Sequence, residues 1–199
     1  MIHVGVTQRQ IVLNSNDTYD ALEMNLFAYF IKLNISLVPI PSYFGLSNPE
    51  VKFESWLKYN NIKGFLMSGG GDPFKVDNRY TLEDKVLEIA KAELLPVFAI
   101  CRGLERIIIH EGGSLVKCQN HINKIVNVSG EIEGSFQCFH ELTISELPDQ
   151  FRVTSLSRDK LIESVAHNTL PWEGCMWHPE RSLERNIDFD RRLSKLFNE

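Results

Sequence analysis

One cysteine in this chain stands where a nucleophile could act. In the stretch PVFAICRGLE, residues 96–105, an apolar run stops at Cys101 and Gly103 follows two residues later. A sharp turn from a strand into a helix exposes the side chain at the turn, and the helix N-terminus behind it favours a thiolate. The small Gly103 would let the turn close and would aim the backbone N–H of Arg102 at a developing oxyanion. A buried structural cysteine is the alternative, since free cysteines are commonly buried.

A glycine-rich segment supplies the bare backbone that such a reaction needs. The segment SGGGD, residues 68–72, follows an apolar stretch, as Cys101 does. Because the carboxyl ends of parallel strands meet at one edge of a sheet, we expect the two to be neighbours in space. An N–H of Gly70, or of Gly71, could be the second oxyanion donor beside that of Arg102. An ordinary glycine turn is the alternative interpretation.

A cysteine nucleophile needs a base, and the chain has six histidines, at positions 3, 110, 121, 140, 167 and 178. His178 stands directly before Pro179 and Glu180. The proline stiffens the chain next to the histidine. Glu180 can then accept a hydrogen bond from the imidazole, which would fix its tautomer and complete a Cys-His-Glu triad. A single His-x-Glu pattern is equally compatible with a structural histidine.

The elements that must position these residues alternate between short apolar strands and helical patterns. Up to residue 112 the predicted strands are Ile2–Thr7, Ile35–Ile40, Gly64–Met67 and Val97–Ile100. The predicted helices between and after them are Tyr19–Leu33, Pro49–Tyr59, Thr81–Ala92 and Leu104–His110. Thr81 and Asp84 together indicate a capping-box start for the third helix. This order predicts an α/β fold, with a mainly parallel sheet and helices on both faces.

The second half of the chain has a different pattern. Short strands, some of them antiparallel, are predicted at Leu115–Val116, Ile122–Val128, Phe136–Ile144, Arg152–Ser155 and Gly174–Trp177. A final helix is predicted at Asp188–Phe197, where Phe189, Leu193 and Phe197 form one apolar stripe. No repeat or linker interrupts the pattern, so residues 1–199 are expected to form a single domain.

The composition excludes several classes of protein. The net charge is −5, which gives no reason to expect a nucleic-acid partner. No apolar run reaches about 18 residues and the N-terminus lacks the features of a signal peptide, so we predict a cytoplasmic protein without a membrane partner. The four cysteines, at 101, 118, 138 and 175, have neither a CxxC pair nor zinc-type spacing. They are expected to be free thiols.

Three segments together resemble the class I glutamine amidotransferases, and most closely their gamma-glutamyl hydrolase branch. The stretch PVFAICRGLERIIIHEGGSL is similar to the family's nucleophile segment, SGGGD to its oxyanion loop, and WHPE at 177–180 to its His-Pro-Glu end. The segments occur in the family's order and the resemblance covers nearly the whole chain. It implies a flavodoxin-like, three-layer fold with a central mixed, mostly parallel sheet.

The resemblance also assigns roles to individual residues. It implies Cys101 as the nucleophile, His178 as base and acid, and Glu180 as the residue that orients the histidine. The backbone amides of Gly70 and Arg102 would form the oxyanion hole. The implied reaction is attack on a gamma-glutamyl carbonyl, formation of a glutamyl-thioester, and hydrolysis to glutamate. No metal and no organic cofactor is expected.

The chain departs from the family pattern at two places. The family usually has Gln four residues after the cysteine, and here the residue is Glu105. A carboxylate could hold the α-ammonium of the substrate by a charge-assisted hydrogen bond, or it could be a surface residue of the helix. In the segment ESVAHN, residues 163–168, Ser164 and His167 match a family stretch, whereas Glu163 replaces Asn. Either His167 or Glu163 is therefore expected to line the glutamyl pocket.

The form of the cysteine segment also bears on the partner. The CRG form, without a fused synthetase domain, favours a stand-alone hydrolase of a small gamma-glutamyl substrate over a glutaminase subunit that serves a separate synthetase. A nucleotide-linked substrate would in addition need cations and aromatic rings near Cys101. The cationic candidates are Lys75, Arg79, Arg102, Lys117, Arg181 and Arg185, and the rings that could stack on a base are Phe74, Tyr80 and Trp172. For each of these residues a solvated charge or ordinary packing is the alternative.

Overall fold

Apolar strands and amphipathic helices alternate along the first half of the chain, as the pattern predicts. The structure is a computed structural model, and it describes residues 1–14, 17–182 and 184–198. In chain order the strands are β1 (Ile2–Thr7), β2 (Arg9–Asn14), β3 (Asp17–Ala21), β4 (Ile35–Ile40), β5 (Ile62–Met67), β6 (Val97–Ile100), β7 (Ser114–Lys117), β8 (Ile122–Gly130), β9 (Gly134–Phe139), β10 (Leu142–Glu146), β11 (Phe151–Ser157), β12 (Ile162–His167) and β13 (Trp172–Cys175). The helices are α1 (Met24–Ile31), α2 (Phe53–Tyr59), α3 (Asn78–Glu93), α4 (Arg102–His110) and α5 (Ile187–Asn198), with short 3₁₀ turns at Ser42–Gly45 and Pro179–Arg181.

A nine-stranded mixed sheet forms the centre of the fold. Its strand order is β4-β1-β5-β6-β13-β12-β11-β8-β9. The first five strands are parallel, and from β12 onward each strand runs antiparallel to its neighbour. The expected α/β architecture, with a mostly parallel centre and antiparallel additions from the second half, is confirmed. The carboxyl ends of β5, β6 and β13 lie side by side at one edge, which is where ligands bind in such sheets.

Helices cover both faces of this sheet. On one face α1 and α5 bury Leu26, Phe30, Phe189 and Leu193 against the strands. On the other face α2, α3 and α4 bury a second apolar cluster, which includes Leu57, Leu82, Leu87, Leu104 and Ile108. Full burial of one such side chain contributes about 1.5–3 kcal/mol, so the two clusters hold the parallel strands and their carboxyl ends in place.

The structure differs from the prediction most at residues 9–33. The helix predicted at Tyr19–Leu33 begins only at Met24, and an antiparallel β2–β3 hairpin precedes it. Residues of this hairpin are mostly exposed, and Ile11 pairs with Tyr19 across it. Because neither strand buries a face in the core, the hydrophobic pattern does not reveal them. The hairpin lies outside the central sheet, next to the edge where β5 and β6 end.

Other boundaries also differ. Helix α3 begins at Asn78, and its N-terminal cap is Asp77, which accepts a hydrogen bond from the Tyr80 N–H, so the predicted start at Thr81 is wrong. The single strand predicted at Phe136–Ile144 is two strands, β9 and β10, which belong to different sheets. Within the described ranges, no helix is long and apolar enough to cross a membrane.

Candidate active site

Cys101 occupies a sharp turn between β6 and α4. Its backbone has φ +51° and ψ −112°, a conformation that costs energy for any residue with a side chain. Its N–H donates to the Cys175 carbonyl on the neighbouring strand at 2.7 Å. A Cβ atom on Gly103 would lie 2.1 Å from the Met67 carbonyl oxygen, so only glycine lets α4 begin this close to β5. Strain at this turn and the close approach of α4 are the features expected of a nucleophile elbow.

The Cys101 thiol is protonated in the free protein. Burial raises its pKa to about 12, and the negative charge of Glu105 raises it further. The Arg102 backbone N–H, at the helix N-terminus, acts in the opposite direction but does not outweigh burial. The sequence indicated that the helix N-terminus would favour a thiolate, and the structure reverses that balance because Cys101 is buried, with 8% of its surface exposed. Reaction therefore requires a base that removes the proton.

His178 and Glu180 form a buried pair next to β13. The 3₁₀ turn that starts at Pro179 brings the Glu180 carboxylate back to the imidazole, with 2.6 Å between His178 Nδ1 and Glu180 Oε1. The carboxylate can only accept, so Nδ1 carries the proton and Nε2 keeps a free lone pair. The ring of Phe139 packs edge-on against the imidazole at 5.4 Å. The backbone N–H of His178 donates to the Gln137 carbonyl at 2.9 Å, and this bond holds the backbone at His178 against β9.

The imidazole of His178 and the side chain of Cys101 both lie beside Gly69. A Cβ atom placed on this glycine would be 2.8 Å from His178 Cε1, 3.5 Å from His178 Nε2 and 3.6 Å from Cys101 Cβ. The two side chains therefore meet next to the space that a side chain at position 69 would fill. The imidazole occupies the volume that a side chain at position 69 would need. A glycine is required here because the pair could not approach the loop otherwise.

The glycine loop after β5 is held by a buried arginine. Gly70 and Gly71 have φ +81° and +92°, which glycine adopts without strain. Arg79 Nη1 donates to the Gly70 carbonyl at 2.7 Å, and Arg79 Nη2 donates to the Ser68 carbonyl at 2.5 Å. These bonds turn the loop carbonyls toward Arg79. The loop is thus fixed in one conformation beside Cys101.

Arg79 and Arg102 share one buried carboxylate, that of Glu83. Arg79 Nε donates to Glu83 Oε1 at 2.9 Å, and Arg102 Nη1 donates to Glu83 Oε2. Thr7 Oγ1 donates to the same carboxylate, and Arg106 Nε lies 3.7 Å from it. The guanidinium groups of Arg79 and Arg102 are therefore both paired with Glu83, behind the glycine loop. The backbone N–H of Arg102, and not its side chain, is the group presented toward the thiol.

Glu105 lies one helical turn beyond Cys101 and is buried, with 4% of its surface exposed. Burial raises the pKa of its carboxyl to about 7, against the opposing charges of His140 and Arg102. Within the described residues the carboxylate has no hydrogen-bond donor or ion-pair partner. A buried carboxylate without a partner, beside the Cys101 thiol, is suited to receiving a cationic group of a ligand.

The two candidates of the segment ESVAHN lie far from each other. Strand β12 runs antiparallel to β13, so it brings Glu163 to the edge that carries Cys101 and His167 to the opposite edge. There His167 contacts Phe151 and accepts hydrogen bonds from the backbone N–H groups of Thr169 and Leu170. His167 therefore does not line a pocket at Cys101. Glu163 is fully buried against His121 and His140, and its carboxylate does not face the thiol either.

A cleft of about 420 Å³ opens beside the glycine loop and holds part of the predicted cationic set. Its lining residues are Arg9, Gln10, Ile11, Gly71, Asp72, Lys75, Asp77, Arg79 and Arg102. Lys75 is exposed and lies 3.5 Å from Asp77, and the neighbouring Phe74 is 54% exposed. Arg9 was not predicted as a site residue. It belongs to the hairpin, and a Cβ on Gly70 would lie 3.4 Å from its Cδ.

The other cationic and aromatic candidates take different positions. Arg181 lies close to the site, paired with Glu23 and stacked 4.6 Å over the Phe139 ring. Arg185 pairs with Asp190 and lines a hollow with Lys32 and Asn34, at the opposite edge of the sheet.

The remaining three do not face the cleft. Lys117 ends β7 in a separate two-stranded sheet. Trp172 begins β13 at the opposite edge and is buried, and Tyr80 is covered by the Arg106 guanidinium at 3.5 Å.

Several known proteins are similar in sequence to this chain. Residues 15–189 match the family model described as glutamine amidotransferase class-I. A gamma-glutamyl-CDP-amidate hydrolase of Campylobacter jejuni is 30% identical over 189 residues, which cover 89% of this chain and 90% of that protein. A glutamine-hydrolyzing GMP synthase of Petrotoga mobilis is 24% identical over 155 residues, which cover 72% of this chain but only 30% of the synthase.

Solved structures share the fold. A protein from Thermoplasma acidophilum, described as one subunit of a GMP synthase, superposes with a TM-score of 0.73 at 19% identity, covering 98% of this chain and 94% of that one. A glutamine amidotransferase from Thermotoga maritima superposes with a TM-score of 0.64 at 15% identity, covering 98% and 81%. The central sheet, its flanking helices and the edge that carries Cys101 are therefore a known architecture.

Proposed function

This chain belongs to the class I glutamine amidotransferase family, and on that basis we propose that it hydrolyses a gamma-glutamyl amide through a thioester on Cys101. The observation that carries the proposal is that Cys101 and His178 both lie beside Gly69, at the edge where β5, β6 and β13 end. A strained turn presents the thiol, and a carboxylate-bound imidazole with a free Nε2 lies next to the same glycine.

The first half of the proposed reaction is acylation. His178 Nε2 takes the proton from the Cys101 thiol as the sulfur attacks the gamma-carbonyl carbon of the substrate. The carbonyl oxygen becomes an oxyanion, which the backbone N–H groups of Gly70 and Arg102 stabilise. Collapse of this intermediate breaks the C–N bond, and the imidazolium gives its proton to the departing nitrogen. A glutamyl-thioester and a free amine or amide remain.

The second half is hydrolysis of the thioester. His178 Nε2 takes a proton from a water molecule, whose oxygen attacks the thioester carbonyl carbon. The same two backbone donors stabilise the second oxyanion. The C–S bond then breaks, the sulfur recovers its proton from the imidazolium, and glutamate leaves. Glu180 acts as a positioning residue throughout, because its hydrogen bond keeps the proton on Nδ1 and stabilises the imidazolium.

For the narrower substrate we propose gamma-glutamyl-CDP-amidate, which would yield glutamate and cytidine diphosphoramidate, a donor for capsular phosphoramidate. The 30% identical Campylobacter relative supports this choice, because the match covers 90% of that protein. The cleft beside the glycine loop supports it independently. Arg9 and Lys75 face this cleft, and both are exposed enough to meet a diphosphate. Phe74 is the exposed ring nearest to them along the chain and would stack on the cytosine.

A second candidate function is glutamine hydrolysis for a separate synthetase. The match to the glutamine-hydrolyzing GMP synthase of Petrotoga mobilis favours it, since that match covers 72% of this chain. Such a subunit would release ammonia from glutamine and would show little activity without its partner. A hydrolase of simple gamma-glutamyl amines is the third possibility within the same chemistry.

The proposed function is tested by measuring glutamate release with purified protein. The substrates compared are gamma-glutamyl-CDP-amidate, simple gamma-glutamyl amines and free glutamine. We expect kcat/KM to be highest for the nucleotide substrate, by about 10²-fold or more, because two cations and one ring would contact only that leaving group. Preference for glutamine that appears only after a synthetase is added would instead support the second candidate. No release from any substrate would contradict both.

Glu105 is proposed to hold the α-ammonium of the glutamyl group. We expect Glu105→Gln to raise KM by about 10- to 100-fold with a small change in kcat, because a buried charge-assisted hydrogen bond contributes about 1.5–3 kcal/mol. The pKa of the Glu105 carboxyl is raised to about 7, so the protonated form gains population as the pH falls below that value. KM of the wild-type protein should therefore rise as the pH falls through 7.

The pH profile of KM distinguishes this role from a structural one. In Glu105→Gln no carboxyl titrates, so KM should stay nearly constant over the same pH range. Glu88→Gln is the matched control, because it replaces an exposed carboxylate on α3. This variant should retain the wild-type pH profile of KM. An unchanged KM in Glu105→Gln at neutral pH would remove Glu105 from the glutamyl pocket.

A further inference from the structure

Four side chains of metal-binding type lie close together near the sheet edge that carries Cys101, and they take no part in the proposed reaction. They are His121, Cys138, His140 and Glu163, and all four are buried. One ligand atom of each lies within 4.8 Å of the corresponding atoms of the other three. They come from the residue before β8, from β9, from the residue after β9 and from β12. Because 42 positions separate the first from the last, their spacing in the sequence does not resemble a zinc motif.

Outer hydrogen bonds decide where the imidazole protons are. His140 Nδ1 lies 2.8 Å from the Leu142 carbonyl oxygen, which can only accept a hydrogen bond. His121 Nε2 lies 3.1 Å from the Asp159 carboxylate, which also accepts. In its neutral form, which is the form that binds a metal, each ring therefore carries its proton on the outward nitrogen. The inward nitrogens, His140 Nε2 and His121 Nδ1, are left with lone pairs, and this arrangement of outer partners is the one found around metal-bound histidines.

The inward atoms are all of types that bind metals, and they lie close to one another. His121 Nδ1 is 3.0 Å from His140 Nε2 and 2.9 Å from Glu163 Oε1, and His140 Nε2 is 3.4 Å from the same oxygen. Cys138 Sγ lies 3.8 Å from Glu163 Oε2. Glu163 Oε1 is buried and accepts no hydrogen bond. Four electron-pair donors that meet in a dry interior repel one another unless a positive charge, either a proton or a metal ion, lies between them.

We propose that His121, Cys138, His140 and Glu163 bind a zinc ion. Two nitrogens, one sulfur and one carboxylate oxygen form a donor set that suits zinc. Zinc-ligand bonds of about 2.0–2.3 Å place tetrahedral ligand atoms about 3.3–3.8 Å apart. The two inward nitrogens and Glu163 Oε1 are separated by 2.9 to 3.4 Å, slightly less than or within this range. A thiolate and a carboxylate also balance the double charge of the ion, so the buried site would be neutral. With four protein ligands the site is closed, as structural zinc sites are.

The position of the site indicates what the ion would stabilise. The Gln137 carbonyl accepts a hydrogen bond from the backbone N–H of His178. Cys138 pairs with Trp177 in an isolated antiparallel β-bridge. The Glu163 carbonyl accepts the Met176 N–H at 2.7 Å. An ion joining β9 to β12 would therefore hold both strands that flank the segment leading to His178. This proposal differs from the sequence-based expectation that the protein needs no metal.

Metal analysis of the protein tests the proposal directly. Untagged protein, purified without added metal and passed through gel filtration, is expected to contain one zinc ion per chain by mass spectrometry. Cys138→Ser and Glu163→Gln should each lose most of this zinc. Cys118→Ser is the matched control, since its thiol lies 3.6 Å from His140 Nδ1, on the outward side of that ring, and it should keep the wild-type content. Zinc retained in Cys138→Ser, or lost in Cys118→Ser, would overturn the assigned ligand set.

Cobalt substitution keeps the test independent of whether the variants fold. Wild-type protein exchanged into Co²⁺ should gain a thiolate-to-cobalt charge-transfer band in the near ultraviolet, and Cys118→Ser should gain the same band. Chelator should also lower the melting temperature of the wild-type protein by more than about 5 °C, because removing a bound metal removes its contribution to folding. A wild-type protein with neither zinc nor a cobalt band would overturn the proposal and leave the cluster held by protons alone.

Discussion

Cys101→Ala is expected to lower glutamate release by about 10⁴-fold or more while the protein stays folded. The thiol sulfur is the protein atom that forms the covalent bond to the substrate carbon in the proposed reaction, so no other residue substitutes for it. Alanine has a Cβ atom as cysteine does, so it adds no strain at a backbone position with φ +51°. Steady-state turnover with gamma-glutamyl-CDP-amidate, together with a thermal melt of the same sample, measures both parts of the expectation.

A second buried thiol provides the control for this variant. Cys175 lies on the adjacent strand, where its carbonyl accepts the Cys101 N–H, and its side chain is fully buried. Cys175→Ala removes a buried thiol sulfur from the adjacent strand but leaves the turn at Cys101 unchanged. It should keep activity within about threefold of wild type and lose a similar amount of stability. Near-wild-type turnover in Cys101→Ala would exclude the thioester mechanism.

In the proposed reaction, burial of the Cys101 thiol makes a paired base necessary. With its pKa raised to about 12, Cys101 keeps its proton at neutral pH, so a preformed thiolate does not account for reactivity. The free Nε2 of His178 is the neighbouring group that can remove this proton, since Nδ1 is bonded to Glu180. Proton transfer and attack on the substrate are then coupled, which protects the thiol from other electrophiles until a substrate is bound.

The sequence was most informative where strands were buried and parallel. The apolar runs that end at Met67 and Ile100 predicted β5 and β6, and the rule for parallel sheets then predicted that the glycine loop and Cys101 would be neighbours. The structure has both strands adjacent and the loop in contact with His178. The nucleophile, loop and histidine segments each have a local signature, because the backbone geometry they need restricts which residues fit.

Residues whose position depends on pairing between distant strands could not be predicted in this way. His167 and Glu163 are separated by four positions on one strand. The antiparallel direction of β12 places Glu163, and not His167, at the sheet edge that carries Cys101. Arg9 lies at the cleft because an exposed hairpin, which has no buried face, folds beside the glycine loop. Arg79 was predicted to face a ligand, but the buried Glu83 carboxylate, four residues on, pairs with its guanidinium.

Glu180→Gln is expected to lower kcat by about 10²- to 10⁴-fold with little change in KM. Glutamine fits the same space, but its amide can donate to Nδ1, which would move the imidazole proton to Nε2. His178 would then present an N–H to the Cys101 thiol and could not accept its proton. The loss should fall on kcat because Glu180 is buried behind the imidazole, with 3% of its side chain exposed, and does not reach the substrate.

The split between kcat and KM separates positioning from general destabilisation. Glu180→Asp keeps a carboxylate that only accepts hydrogen bonds, so it should recover part of the activity lost in Glu180→Gln. Glu184→Gln removes an exposed carboxylate four residues further along the chain and should leave both constants unchanged. If Glu180→Gln raised KM and left kcat intact, Glu180 would contact the substrate instead of orienting His178. If Glu180→Asp were no more active than Glu180→Gln, the tautomer argument would fail, because the carboxylate is what keeps the proton on Nδ1.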